Sequence, residues 1–168
     1  MATEMGEYLV GAYLKLVLGC SVVDYNPRPP GGGMKGLGEL DVVGLDFQQD
    51  CAYFCEVTTH LDGLQIGKGG KSTITKLKSK HARQREYAKS YLHLPHFQVR
   101  YMFWSPVVRK GLLPDLEATG FELFVNKTYS EAMLELRKRA KKSTSDTNNP
   151  AFRVLQILEH MRRAAPSS

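Results

Sequence analysis

Two acidic side chains set among apolar residues dominate the chemistry this sequence can offer. In the stretch GELDVVGLDFQQDCAYFCEVTTH, Asp41 stands near the start of one apolar run and Glu56 near the end of the next. Carboxylates beside Val42, Val43, Tyr53, Phe54 and Val57 are costly to bury unless paired, hydrogen-bonded or bound to a cation. Converging carboxylates make a hard oxygen site of the kind Mg²⁺ prefers. A divalent ion there can polarise a phosphoryl oxygen and lower the pKa of an attacking water. The plainer reading puts both acids on a solvated sheet edge, where most acids lie.

The elements that position these acids follow from periodicity. Residues 39–47 and 51–60 read as strands with a tight connection at Gln48–Asp50, an antiparallel hairpin. Alternation of faces groups Glu39 with Asp41, and Glu56 with Thr58. Ahead of the hairpin, residues 4–18 predict a helix with Thr3 as N-cap and Gly19 as stop. A short strand over 20–25 follows, then a loop over 26–38 with three prolines and five glycines. Its Gly31-Gly32-Gly33 run lacks the Lys-Ser/Thr ending of a P-loop and reads as a flexible loop on the substrate side.

Beyond the hairpin, a second glycine-rich loop (61–71) leads into a long basic helix over 72–92, with Ser72 or Thr73 as N-cap. Its inner stripe is expected to be Ile74, Leu77, His81, Arg85 and Ala88. A strand over 97–104, a short helix within 112–119, a strand over 121–125 and a helix over 129–142 come next. After the polar break 143–149, residues 150–163 predict an amphipathic helix with Phe152, Val154, Leu155, Ile157, Leu158 and Met161 as its apolar positions. Strands and helices interleave, which predicts one α/β domain over 1–168 with a mixed sheet, its core spanning about 4–142.

The chain has 23 Lys and Arg against 17 Asp and Glu, a formal net charge of +6. Between Lys68 and Lys89 the cations are Lys68, Lys71, Lys76, Lys78, Lys80, Arg83, Arg85 and Lys89, opposed there by Glu86 alone. So many like charges repel one another, and phosphate contact explains them better than a solvated face. Nucleic acid is the expected partner, DNA first with RNA open. Cys20, Cys51 and Cys55 do not form a disulfide framework, and free apolar thiols in a reducing cytoplasm are expected. Cys51, Cys55 and His60 match no standard zinc spacing. His81, His93 and His96 read as surface histidines, Tyr87 and Tyr91 as packing residues. No run is long and apolar enough to span a bilayer, and no secretory signal is visible.

The pattern Gly38-Glu39-Leu40-Asp41, a short hairpin, then Glu56-Val57-Thr58 resembles the core of PD-(D/E)XK nucleases. It is most similar to the branch of the archaeal Holliday-junction resolvases and their small bacterial relatives. Gly6-Glu7 and Asn26-Pro27-Arg28 fall where that branch carries a helix glutamate and an Asn-x-Arg strand end. The resemblance covers residues 4–104. It implies a restriction-endonuclease-like core and Mg²⁺-dependent DNA cleavage, with Mn²⁺ as substitute. It implies metal ligands at Asp41, Glu56 and the Val57 carbonyl, supported by Glu7. Where the family has a lysine, this chain has Thr58, which hydrogen-bonds but supplies no charge. Lys76 or Lys80 on the basic helix is expected to replace it. The alternative is a degenerate nuclease fold that binds nucleic acid or a partner complex without cutting. Homodimerisation is compatible with either.

Overall fold

The computed structural model describes residues 3–29, 40–64 and 69–164. Helix α1 (Met5–Tyr13) opens on a capping box in which Glu7 Oε2 accepts from the Glu4 amide at 2.9 Å. It runs into a π-helical turn, Leu14–Leu18, that ends at Gly19 in the left-handed region (φ 85°). Thr3, the expected N-cap, is displaced one residue by Glu4.

Strands β1 (Val22–Tyr25), β2 (Val42–Asp46) and β3 (Cys51–Val57) form an antiparallel meander. Its hairpin turn is closed by Asp46, whose Oδ1 accepts from the amides of Gln48 (2.9 Å) and Gln49 (3.1 Å). Helix α2 (Gly70–Tyr91) crosses over to β4 (Gln98–Ser105), which pairs parallel with β3. A 3₁₀ turn (Lys110–Leu112) and α3 (Leu113–Glu117) lead to β5 (Glu122–Val125), parallel to β4. The product is an α/β fold with a five-stranded mixed sheet of order β1-β2-β3-β4-β5. Helices α4 (Lys127–Lys142) and α5 (Pro150–Ala164) complete it.

Strand β3 is central and covered on both faces, so it reads as an unbroken apolar run rather than an alternating one. Cys51, Tyr53 and Cys55 point to a core shared with Val10, Leu14, Met102, Trp104 and Ala132. Ala52 and Phe54 point the other way, to Leu40 and Ala88. Thus α1 and α4 cover one face and α2 the other. Trp104 and Phe103, on opposite faces of β4, are both fully buried.

The structure corrects further details of the sequence reading, beginning with α2, whose N-cap is Gly69 rather than Ser72 or Thr73. On α2 the buried positions are Thr73, Ile74, Leu77, Gln84 and Ala88, while Arg85 is exposed. The helix is rolled toward Gln84, a polar residue that apolar periodicity cannot reveal. His81 is a packed side chain, its ring 5.0 Å from Tyr101 and 4.7 Å from Phe121. On α5, Phe152 is buried and Leu155 half-buried, but Val154, Ile157, Leu158 and Met161 face outward. The apolar residues of that helix spread beyond the face that meets α1 and α4.

Candidate functional site

The acids converge where the antiparallel half of the sheet meets the parallel half. The β2–β3 register pairs Val42 with Cys55, so Asp41, one step earlier, stands across from Glu56. Asp41 Oδ2 accepts from the Val57 amide at 2.7 Å, which ties the end of β3 to the start of β2. Glu56 is buried, and the Lys80 ammonium reaches it from α2 to form an ion pair. Thr58 follows on the same face as Glu56; its amide donates to the Trp104 carbonyl at 2.9 Å. The Thr58 hydroxyl is buried and has no hydrogen-bond partner.

Helix α1 brings Glu7 to the same end of the sheet. Gly6 makes this approach feasible, because a Cβ there would collide with the Thr59 methyl and crowd Val57 Cγ1 at 3.3 Å. Asn26, in the left-handed region (φ 54°), donates through Nδ2 to Glu7 Oε2 at 3.2 Å and to Thr3 Oγ1 at 3.2 Å. The Asn26 amide in turn donates to the Asp41 carbonyl at 2.9 Å. One residue therefore connects α1, the end of β1 and the start of β2.

The electrostatics are those of acids crowded into a poorly solvated corner. Burial, followed by the neighbouring Asp41 carboxylate, pushes the Glu56 carboxyl up to about 8, with Lys80 acting against both. Burial also raises Glu7; its bonds from the Glu4 amide and Asn26 oppose the rise, and Asp41 adds to it. Burial alone would lower the Lys80 ammonium, yet Glu56 and Asp41 outweigh it and raise the group.

Lys80 is the lysine brought to the carboxylates; Lys76 is exposed. Helical spacing divides the basic residues of α2 into two flanks. Lys76, Lys80 and Arg83 follow the flank that carries the ion pair to Glu56. Lys71, Lys78, Arg85 and Lys89 follow the other, and Arg85 there acts on Tyr101. Lys68, Gly38, Glu39, the Gly31–Gly33 run and residues 165–168 lie outside the described residues. Among the described residues no group of three or more His, Cys, Asp and Glu side chains is placed to hold a metal ion.

Gln84, one turn beyond Lys80, escaped the sequence reading. It is 1% exposed, and neither its amide nitrogen nor its oxygen has a hydrogen-bond partner. Its sole signal in the sequence is its place four residues after Lys80. All three cysteines are buried and free, while His60, His93 and His96 are exposed. Among the described residues no helix is long and apolar enough to cross a membrane. No protein-family model, curated protein or solved structure matches this chain.

Proposed function

We propose that the chain is a Mg²⁺-dependent endonuclease of the PD-(D/E)XK type that hydrolyses DNA phosphodiester bonds in a reducing, cytoplasmic setting. The observation that carries this reading is the Lys80–Glu56 ion pair opposite Asp41. It puts a cation from α2 beside two carboxylates, where the strand itself offers only Thr58. The hairpin, the crossover helix and the parallel strand bring these groups onto neighbouring elements, which supports the reading.

Asp41 and Glu56, with the Val57 carbonyl, supply hard oxygen donors. Mg²⁺ commonly takes one or two carboxylates and fills its other positions with water and substrate phosphate, so this donor set fits it. The Glu56 carboxyl is raised first by burial and then by the neighbouring Asp41 carboxylate, and a bound cation would favour its ionised form. When bound, the metal supplies Lewis-acid polarisation of a phosphoryl oxygen and a more acidic water. Lys80 offsets negative charge on the phosphate and orients water through its ammonium donors. Glu7, anchored by Asn26, holds the α1 side of the site in place. Lys76 and Arg83 extend the cationic flank along which a phosphate backbone lies.

A specific observation favours a second reading, a nuclease fold that binds nucleic acid without cutting. Thr58 stands at the lysine position of the motif, and its hydroxyl engages nothing. The deciding assay uses labelled single-stranded, duplex and branched DNA, with RNA alongside, in Mg²⁺, Mn²⁺ or EDTA. Metal-dependent cleavage that disappears in the Asp41→Ala/Glu56→Ala double variant is expected. Absence of cleavage on every substrate with binding retained rejects the endonuclease in favour of the second reading.

A further inference from the structure

Helix α5 carries apolar side chains round more of its circumference than its packing uses. Ala151 and Phe152 are buried, Phe152 in a cluster with Ala12, Leu136 and Ala140. Glu159 turns inward to Arg137, with 2.7 Å between Oε1 and the guanidinium. On the opposite side Val154, Ile157, Leu158 and Met161 are 47, 50, 52 and 60% exposed. Their i, i+3, i+4, i+7 spacing makes one continuous outward stripe. An amphipathic helix ordinarily buries its apolar stripe, and in α5 this stripe faces outward.

We propose that this stripe packs against the same stripe of a second copy of the chain, α5 antiparallel to α5 about a two-fold axis between Ile157 and Leu158. The spacing is self-complementary under that rotation. Val154 of each copy meets Met161 of the other, and Ile157 meets Leu158, as an isologous contact requires. Four half-exposed apolar side chains form a patch on the order of several hundred Å², the size that marks an interaction surface. Two such patches with their rims approach the ~1,000 Å² that a biological interface needs. The rim does not oppose closure. Arg153 and Arg162, which the rotation brings to one level, lie on opposite flanks of the stripe, and Arg153 is paired within its own chain with Asp146 at 3.3 Å. This inference does not depend on the nuclease reading.

Sedimentation velocity from low to high micromolar concentration tests it. The full chain is expected to reach twice the chain mass. The Ile157→Glu/Leu158→Glu variant is expected to sediment as a single chain throughout, with an unchanged far-ultraviolet circular dichroism spectrum. Leu158→Cys supplies an independent probe, because Cys20, Cys51 and Cys55 are all buried. Mild oxidation of that variant should give a disulfide-linked dimer, since residue 158 lies beside the axis. Three results overturn the proposal: a wild-type monomer at the highest concentration, a dimer that the double Glu variant retains, or a monomer that floats with phosphatidylserine vesicles through this stripe.

Discussion

On the nuclease reading, Lys80 supplies beside Glu56 the charge that Thr58, at the lysine position of the motif, lacks. If Lys80 is the working cation, Lys80→Ala lowers single-turnover cleavage by roughly 10²-fold or more, the scale for losing one charge-stabilising donor. Adding Thr58→Lys to that variant should restore part of the rate, because residue 58 lies on the same strand face as Glu56. Full activity in Lys80→Ala would remove Lys80 from the mechanism. His81 sets a separate expectation. Burial lowers its imidazole below the ordinary value of 6.5, with Arg85 adding to the effect. The folded chain therefore holds the neutral ring, and the unfolded chain binds more protons below about pH 6.5. Stability is full above that pH and declines as pH falls, with a slope of at most ~1.4 kcal/mol per pH unit from this group. Urea midpoints at pH 7.5 and 5.5, on either side of the ordinary imidazole value, should differ more for the wild type than for His81→Phe. Equal differences would show that His81 is not the group responsible.

On the proposed reading, chemistry and recognition share helix α2. Its two basic flanks make different predictions under the nucleic-acid reading. Lys76→Ala/Arg83→Ala should weaken DNA binding and flatten the dependence of log K on log salt by about two contacts' worth. Lys78→Ala/Arg85→Ala should change both less, because those residues lie away from the carboxylates. Equal effects would mean that the backbone is not tracked along the Lys80 side. Much of this element-level picture was legible beforehand. The hairpin could be read because Asp46–Asp50 interrupts two apolar runs, and the basic helix because of its charge. Which lysine faces inward was not legible, since Lys76 and Lys80 sit four apart and only the roll of α2 separates them. Gln84 lies on the buried face that this roll creates, and no apolar pattern marks it. The outward stripe of α5 was hidden for a related reason: apolar identity shows that a residue can be buried, not that a neighbour exists to bury it.

For the whole molecule, the core is two apolar layers on either side of β3, and all three thiols lie within it. Burial pushes Cys20 up to about 12 and raises Cys55 as well. Reaction with a thiol reagent at pH 8 should therefore be slow and should track unfolding, accelerating in step with the urea transition. Fast modification of the native chain by three equivalents would contradict this packing.

The site is assembled from pieces of different reach along the chain. Asp41 and the Val57 amide it binds are 16 residues apart, joined by a hairpin that closes locally. Glu56 and Lys80 are 24 apart, and that contact requires α2 to be docked on the sheet. Loop closure over short separations is fast, and docking of a crossover helix comes later. A nascent or partly opened chain therefore has its acids adjacent before it has its cation. The Glu56–Lys80 contact lasts only while α2 stays docked through Ile74, Leu77 and Ala88, so the reach of the cation and the integrity of that core layer are one and the same.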